Sequence, residues 1–103
     1  MTRPYVYSQE AATDLRKILN YTTRQWGAAQ ARAYARQIDN AVAALAAGQG
    51  PFKDWGEVLD GLRVKAVGSH YVFGIWRGDH PALILAILHG RMDLMARIKA
   101  RLR

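Results

Sequence analysis

The sequence predicts an α+β domain in which a helical hairpin packs on a small, mostly antiparallel sheet, in the order β-α-α-β-β-β-α. Three observations predict it. Two stretches with apolar residues at spacings of three and four lie end to end in the first half, parted only by Gly27. The second half holds three β-type runs joined by the turns Gly68-Ser69 and Gly78-Asp79-His80-Pro81. The last of these runs, Ala82 to Leu88, has seven residues with no polar side chain. A strand apolar at both parities buries two faces, so this run reads as the central strand.

The elements follow in order. Tyr5-Val6-Tyr7 is a short β-type run led by Pro4, a residue that suits a strand's first position. Ser8 can cap the first helix, and Glu10 falls in the first turn, where the helix dipole favours an anion. Ala12, Leu15, Leu19, Thr22 and Trp26, with Ile18, form its apolar stripe, and Gly27 ends it. The second helix repeats the spacing at Ala28, Ala31, Ala35, Ile38, Val42 and Leu45 and ends at Gly48. Its alanines permit close axial approach, and Arg32, Arg36 and Asp39 mark a solvated outer face. From Gly48 to Gly61 the chain is irregular, and its Phe52 and Trp55 either pin the loop to the core or bind a partner.

Leu62 to Val67 is a strand with one basic face, carried by Arg63 and Lys65. His70 to Arg77 sets Tyr71, Phe73 and Ile75 against one side of the sheet and Val72, Gly74 and Trp76 against the other. After the apolar strand, Gly90 breaks the pattern, and His89, Arg91 and Asp93 cluster at its exit. Asp93 can cap a short last helix in which Leu94, Met95, Ile98 and Leu102 share a face.

A chain of 103 residues suits one domain over residues 1–103, with a single modest core. No apolar run approaches the ~20 residues of a membrane helix. The first ten residues lack the apolar centre of a secretion signal, so the cytoplasm is the expected compartment. Without cysteine there is no disulfide framework and no thiolate chemistry. The formal charge of +7 calls for an acidic partner, nucleic acid or protein. From Arg91 onward five basic residues (Arg91, Arg97, Lys99, Arg101 and Arg103) face one acid, Asp93.

Two adjacent strands are thus apolar on both faces, while one helical hairpin covers only one. Unless the short last helix covers the second face, that face is left for a partner. Chemistry is harder to find. His70, His80 and His89 have no metal-site spacing, and no phosphate-binding glycine loop is present. A metal-free ribonuclease would need a base, an acid and cations on the phosphorane. Arg63 and Lys65 on one strand, with His89 and Arg91 at the exit of another, are the candidates, but a second acid or base is missing. The plainer alternative is that His89 hydrogen-bonds the chain at the strand end and Arg91 pairs with Asp93.

Several pieces, in order and spanning nearly the whole chain, carry a likeness. They are Tyr21-Thr22, Trp26-Gly27, Gln30-Ala31 and Tyr34 in the hairpin; Gly61-Leu62-Arg63; Gly68, His70, Val72 and Phe73; and Ile84-Leu85 with Ile87 to Asp93. With these the chain resembles the ParE toxins of the RelE/ParE superfamily of bacterial toxin–antitoxin systems. Gly74 departs from the family, which often carries an aromatic there. The resemblance implies the RelE/ParE-like fold. It implies a non-enzymatic inhibitor of DNA gyrase that serves plasmid or chromosome stabilisation and needs no cofactor. It also implies a ParD-type antitoxin, whose N-terminal part dimerises on operator DNA and whose acidic C-terminal segment wraps the toxin. This chain would then meet operator DNA only through the antitoxin, and no membrane. RelE relatives instead cut mRNA on the ribosome, and such an mRNA interferase is the alternative. Arg63, His89, Arg91, Arg97, Lys99, Arg101 and Trp55 are the candidate contacts with antitoxin or target.

Overall fold

Strand β1 (Tyr5–Tyr7) leads directly into helix α1 (Gln9–Trp26), in a computed structural model that describes residues 5–102. Pro4 and Arg103 lie outside those residues. Ser8 caps α1 as expected, its hydroxyl accepting from the Ala11 amide at 3.0 Å. Gly27, at φ +91°, joins α1 to α2 (Ala28–Ala46) with no other linker residue. The short β2 (Lys53–Asp54) follows, inside the segment expected to be irregular. Then come β3 (Leu62–Val67), β4 (His70–Arg77), β5 (His80–His89) and α3 (Leu94–Arg101). Asp93 caps α3, its carboxylate accepting from the Ala96 amide.

The five strands form one sheet in the order β1-β5-β4-β3-β2, with β1 parallel to β5 and the remaining pairs antiparallel. The apolar run is therefore not the central strand. That place belongs to β4, and β5 lies one strand from the edge. Strand β1 pairs only with Ala82–Ile84, so the second half of β5 has no neighbouring strand on that side. Side chains satisfy it instead. Ser8 and Arg101 donate to the Leu85 carbonyl, and Asp14 accepts from the Ile87 amide. Strand β5 also begins earlier than the turn residues suggest, because Arg77 pairs with His80 and its guanidinium grips the Pro81 carbonyl.

The hairpin covers one face of the sheet. Ala11, Ile38, Val42, Leu45, Val72, Ile84 and Ile87 form the core there, with Leu15, Ile18 and Tyr34 packed around them. The buried stripe of α1 starts at Ala11 rather than Ala12, which is exposed. Tyr7 joins this core. Burial, then the nearby Tyr5 and Asp39, pushes its hydroxyl pKa up to about 12. At Gly74 the Leu45 side chain of α2 packs directly on the sheet. A Cβ there would stand 3.0 Å from Leu45 and 3.2 Å from Ile84, so an aromatic has no room.

The second face is not left open. Leu62, Val64, Phe73, Ala86, Leu88 and Ile98 form a second buried cluster. It is roofed by Leu94 of α3, by Leu102 just beyond that helix, and by Trp55, Val58 and Leu59 of the loop. Burying a Leu, Ile or Phe side chain is worth about 1.5–3 kcal/mol, and this face holds three that are fully buried. The expectation of a second face waiting for a partner is thereby overturned. The loop supplies what the helix count lacked.

Candidate functional site

An open cup of about 460 Å³ lies between the helical hairpin and the β3–β4 turn. Lys17, Ile18, Tyr21, Thr22 and Trp26 of α1 form one wall, Gln30 and Tyr34 of α2 a second, and Ser69, His70 and His89 the floor. The volume lies in the range of ligand-sized sites. Trp26 continues the helical spacing that buries Thr22, yet it is 73% exposed, and Tyr21 is 57% exposed. Two large aromatics on one solvent-facing rim are an uncommon cost for an isolated surface and a usual feature of partner sites.

The floor is ordered by hydrogen bonds. Pairing between strands sets Val67 opposite His70 and His70 opposite His89. The two imidazoles meet edge to face, with ring centroids 5.2 Å apart. The Tyr34 hydroxyl reaches across from α2 to the Val67 carbonyl at 3.0 Å and to His70 Nδ1 at 2.6 Å. It reaches there because residue 68 is glycine. At φ +55° Gly68 turns the hairpin, and a Cβ would lie only 2.7 Å from the Tyr34 ring. Burial, then the facing His89, holds the His70 pKa below its ordinary 6.5, so its imidazole is neutral at neutral pH. His89 Nδ1 accepts the Arg91 amide at 3.0 Å, so the neutral His89 ring carries its proton on Nε2. Among the lining residues Lys17 is a full cation and there is no carboxylate.

The residues expected to make contacts are dispersed. His89 lines the cup, and Arg91 follows it into solvent. His89 bonds the chain at the strand end as one sequence alternative had it, whereas Asp93 caps α3 rather than pairing with Arg91. Arg97 and Lys99 are exposed on α3, beside the exposed Met92 and Met95. Arg101 turns inward. Its guanidinium holds Asp14 through two nitrogens at 2.6 and 2.8 Å, with side chains only 19% and 13% exposed. That bond, more than the burial that opposes it, raises the Arg101 pKa above its ordinary value. Trp55 packs edge-on against Phe73, at 5.5 Å between centroids.

Arg63 is stacked between Phe52 and Trp76, 4.6 Å from each ring centroid. It stands opposite Gly74, four residues along β3 from Val67, or about 13 Å of strand. Lys65 is committed elsewhere, its ammonium donating to the Pro51 carbonyl at 2.8 Å, so the grouping of Arg63 and Lys65 with His89 is not formed. Tyr34, His70, Tyr21 and Trp26 do line one cup with His89, and sequence spacing alone did not join them. Six of the family-like pieces converge on this cup, which was the signal available. Among the described residues no cluster of His, Asp and Glu could hold a metal ion. No helix there is long and apolar enough to cross a membrane.

Fold and cup together define a basic α+β domain that offers an aromatic-rimmed recess on its helical hairpin. Comparison with known proteins gives the family. The profile of the ParE toxin of type II toxin-antitoxin system, parDE, matches residues 5–94. The chain is 50% identical to Toxin ParE of Escherichia coli over 99 residues, covering 96% of each. It is 32% identical to Toxin ParE1 of Caulobacter vibrioides over 96 residues, covering 93% of this chain and 98% of that one. Toxin ParE1 of Mycobacterium tuberculosis is 31% identical over 94 residues, or 91% of this chain and 96% of the relative. The chain belongs to the ParE toxin family and is the toxin of a type II toxin–antitoxin system, which implies an antitoxin partner.

Proposed function

We propose that this chain inhibits DNA gyrase without enzymatic chemistry, acts in the cytoplasm as one toxin domain, and is neutralised by a ParD-type antitoxin. The observation that carries the antitoxin part is the cup. Its exposed Tyr21 and Trp26 suit an apolar peptide face, and Lys17 with the +7 chain suits acidic flanks. The antitoxin lays a helix along the hairpin and threads an extended segment over the rest. The gyrase part rests on family membership, with Arg91, Arg97 and Lys99 beside Met92 and Met95 as the target-facing surface. Arg63 and His89 lie near one partner or the other. Arg101 and Trp55 serve contact indirectly, by holding α3 and the loop in place.

The test is a gyrase supercoiling assay with purified chain. Stalled gyrase–DNA complexes, reversed by the cognate antitoxin and weakened by Arg91→Ala with Arg97→Ala and Lys99→Ala in a folded variant, support the reading. Unaffected gyrase refutes it. A second reading, the mRNA interferase, draws on the His70–His89 pair, since two imidazoles are the acid and base that such cleavage needs. It predicts ribosome-dependent RNA cleavage that is lost in His89→Ala.

A further inference from the structure

The protons on the floor of the cup can be assigned. Tyr34 has one hydroxyl proton and two candidate acceptors for it, the Val67 carbonyl and His70 Nδ1. Its oxygen lies 3.0 Å from the Val67 carbonyl oxygen, and two oxygens with no proton between them repel at that distance. The proton therefore goes to Val67. Nδ1 of His70, 2.6 Å from the same hydroxyl, must then carry the imidazole proton and donate it. What remains on neutral His70 is Nε2, an acceptor that makes no hydrogen bond among the described residues. The free groups around it differ in kind. His89 presents an N–H, and Lys17 an ammonium. The floor thus presents an unused acceptor on His70 beside the N–H of His89, the rim presents a cation, and the walls are Ile18, Tyr21, Trp26 and Tyr34.

We propose that the cup is built for a tyrosine or tryptophan side chain of an acidic partner segment, whose O–H or N–H is donated to His70 Nε2. This deepens the antitoxin reading above and rests on it for the partner's identity. A carboxylate does not suit His70 Nε2, because an acceptor facing an acceptor repels. The partner's acids belong at the rim, on Lys17. An aliphatic or phenylalanine anchor would fill the aromatic walls but strand the Nε2 acceptor without a donor. The whole assignment descends from Gly68, which lets Tyr34 reach the turn and so fix the His70 tautomer.

The experiment needs no antitoxin. The ¹⁵N-labelled chain is titrated with p-cresol and, separately, with 4-methylanisole, which has the same ring but no O–H. Imidazole ¹⁵N shifts are read at His70. The expected result is saturable p-cresol binding, at least about fivefold tighter than 4-methylanisole, with the shift on Nε2. Tyr34→Phe removes the acceptor for Nδ1–H and should erase the preference, and His70→Phe should do the same. Equal binding of the two probes, binding by neither, or a preference that survives both substitutions would overturn the proposal. Shifts at His70 that grow with protein concentration alone would assign the cup to the Tyr21 or Trp26 of a second copy and overturn the partner. The antitoxin reading fails separately, if the cognate antitoxin binds Tyr21→Ala and Trp26→Ala variants as tightly as the parent.

Discussion

The face of the sheet beneath α3 and the cup on the hairpin are built from the same residue types to opposite effect. Under α3 a tryptophan, Trp55, is folded against Phe73, and a cation, Arg101, is locked to Asp14. At the cup a tryptophan, Trp26, stands 73% exposed, and a cation, Lys17, forms no ion pair among the described residues. Residue type does not separate the two regions. What separates them is whether the chain itself supplies the counterpart. The first region should answer to substitution through stability, and the second through partner binding.

The largest effect expected is on the closed face. Phe73→Ala should lower unfolding free energy by about 3–5 kcal/mol in denaturant titration. Little loss would mean that this face is less closed than it looks. Asp14→Ala comes next, at about 3 kcal/mol, because it strands Arg101 and leaves the Ile87 amide without its acceptor. Removing Arg101 as well, as Met, should restore part of that loss. Gly68→Ala lies at the cup, where strain at positive φ and the displaced Tyr34 should cost about 1–3 kcal/mol.

Tyr21→Ala and Trp26→Ala sharpen the contrast most. Each should move stability by no more than about 0.5 kcal/mol, while antitoxin affinity falls about 30-fold or more if these are anchor residues. The smallest effect is on pH dependence. His70 has a lowered pKa in the folded chain, so the unfolded chain binds its proton first as pH falls. Its contribution is fully present above 6.5 and is lost as pH drops from there through the folded value. His70→Gln should flatten that part of the stability profile.

Local signals were legible in the chain. Ser8, Gly27 and Asp93 bound their helices where the sequence places them, since a cap needs only its own neighbours. Strand order was not legible. Seven apolar residues announce burial on both faces, but not which strand lies beside them, and the three-residue β1 leaves half of β5 to Asp14 and Arg101. Trp55 pins the loop to the core, one of the two roles its sequence context allows, but Val58 and Leu59 follow no helical or strand period and do not announce their part in the roof. Of the cup, only His89 was named beforehand as a contact. Its partners Tyr34 and His70 are 36 residues apart and meet only through the turn at Gly68.

The central claim is that the partner site lies on the hairpin while the sheet beneath α3 is closed by the chain itself. Hydrogen exchange of the chain, free and bound to its cognate antitoxin, tests it directly. Antitoxin should slow exchange across residues 17–34 and 69–70, with the amides of β4 under α3 already protected in the free chain. A β4 that exchanges freely until antitoxin binds, with an unchanged hairpin, would contradict it.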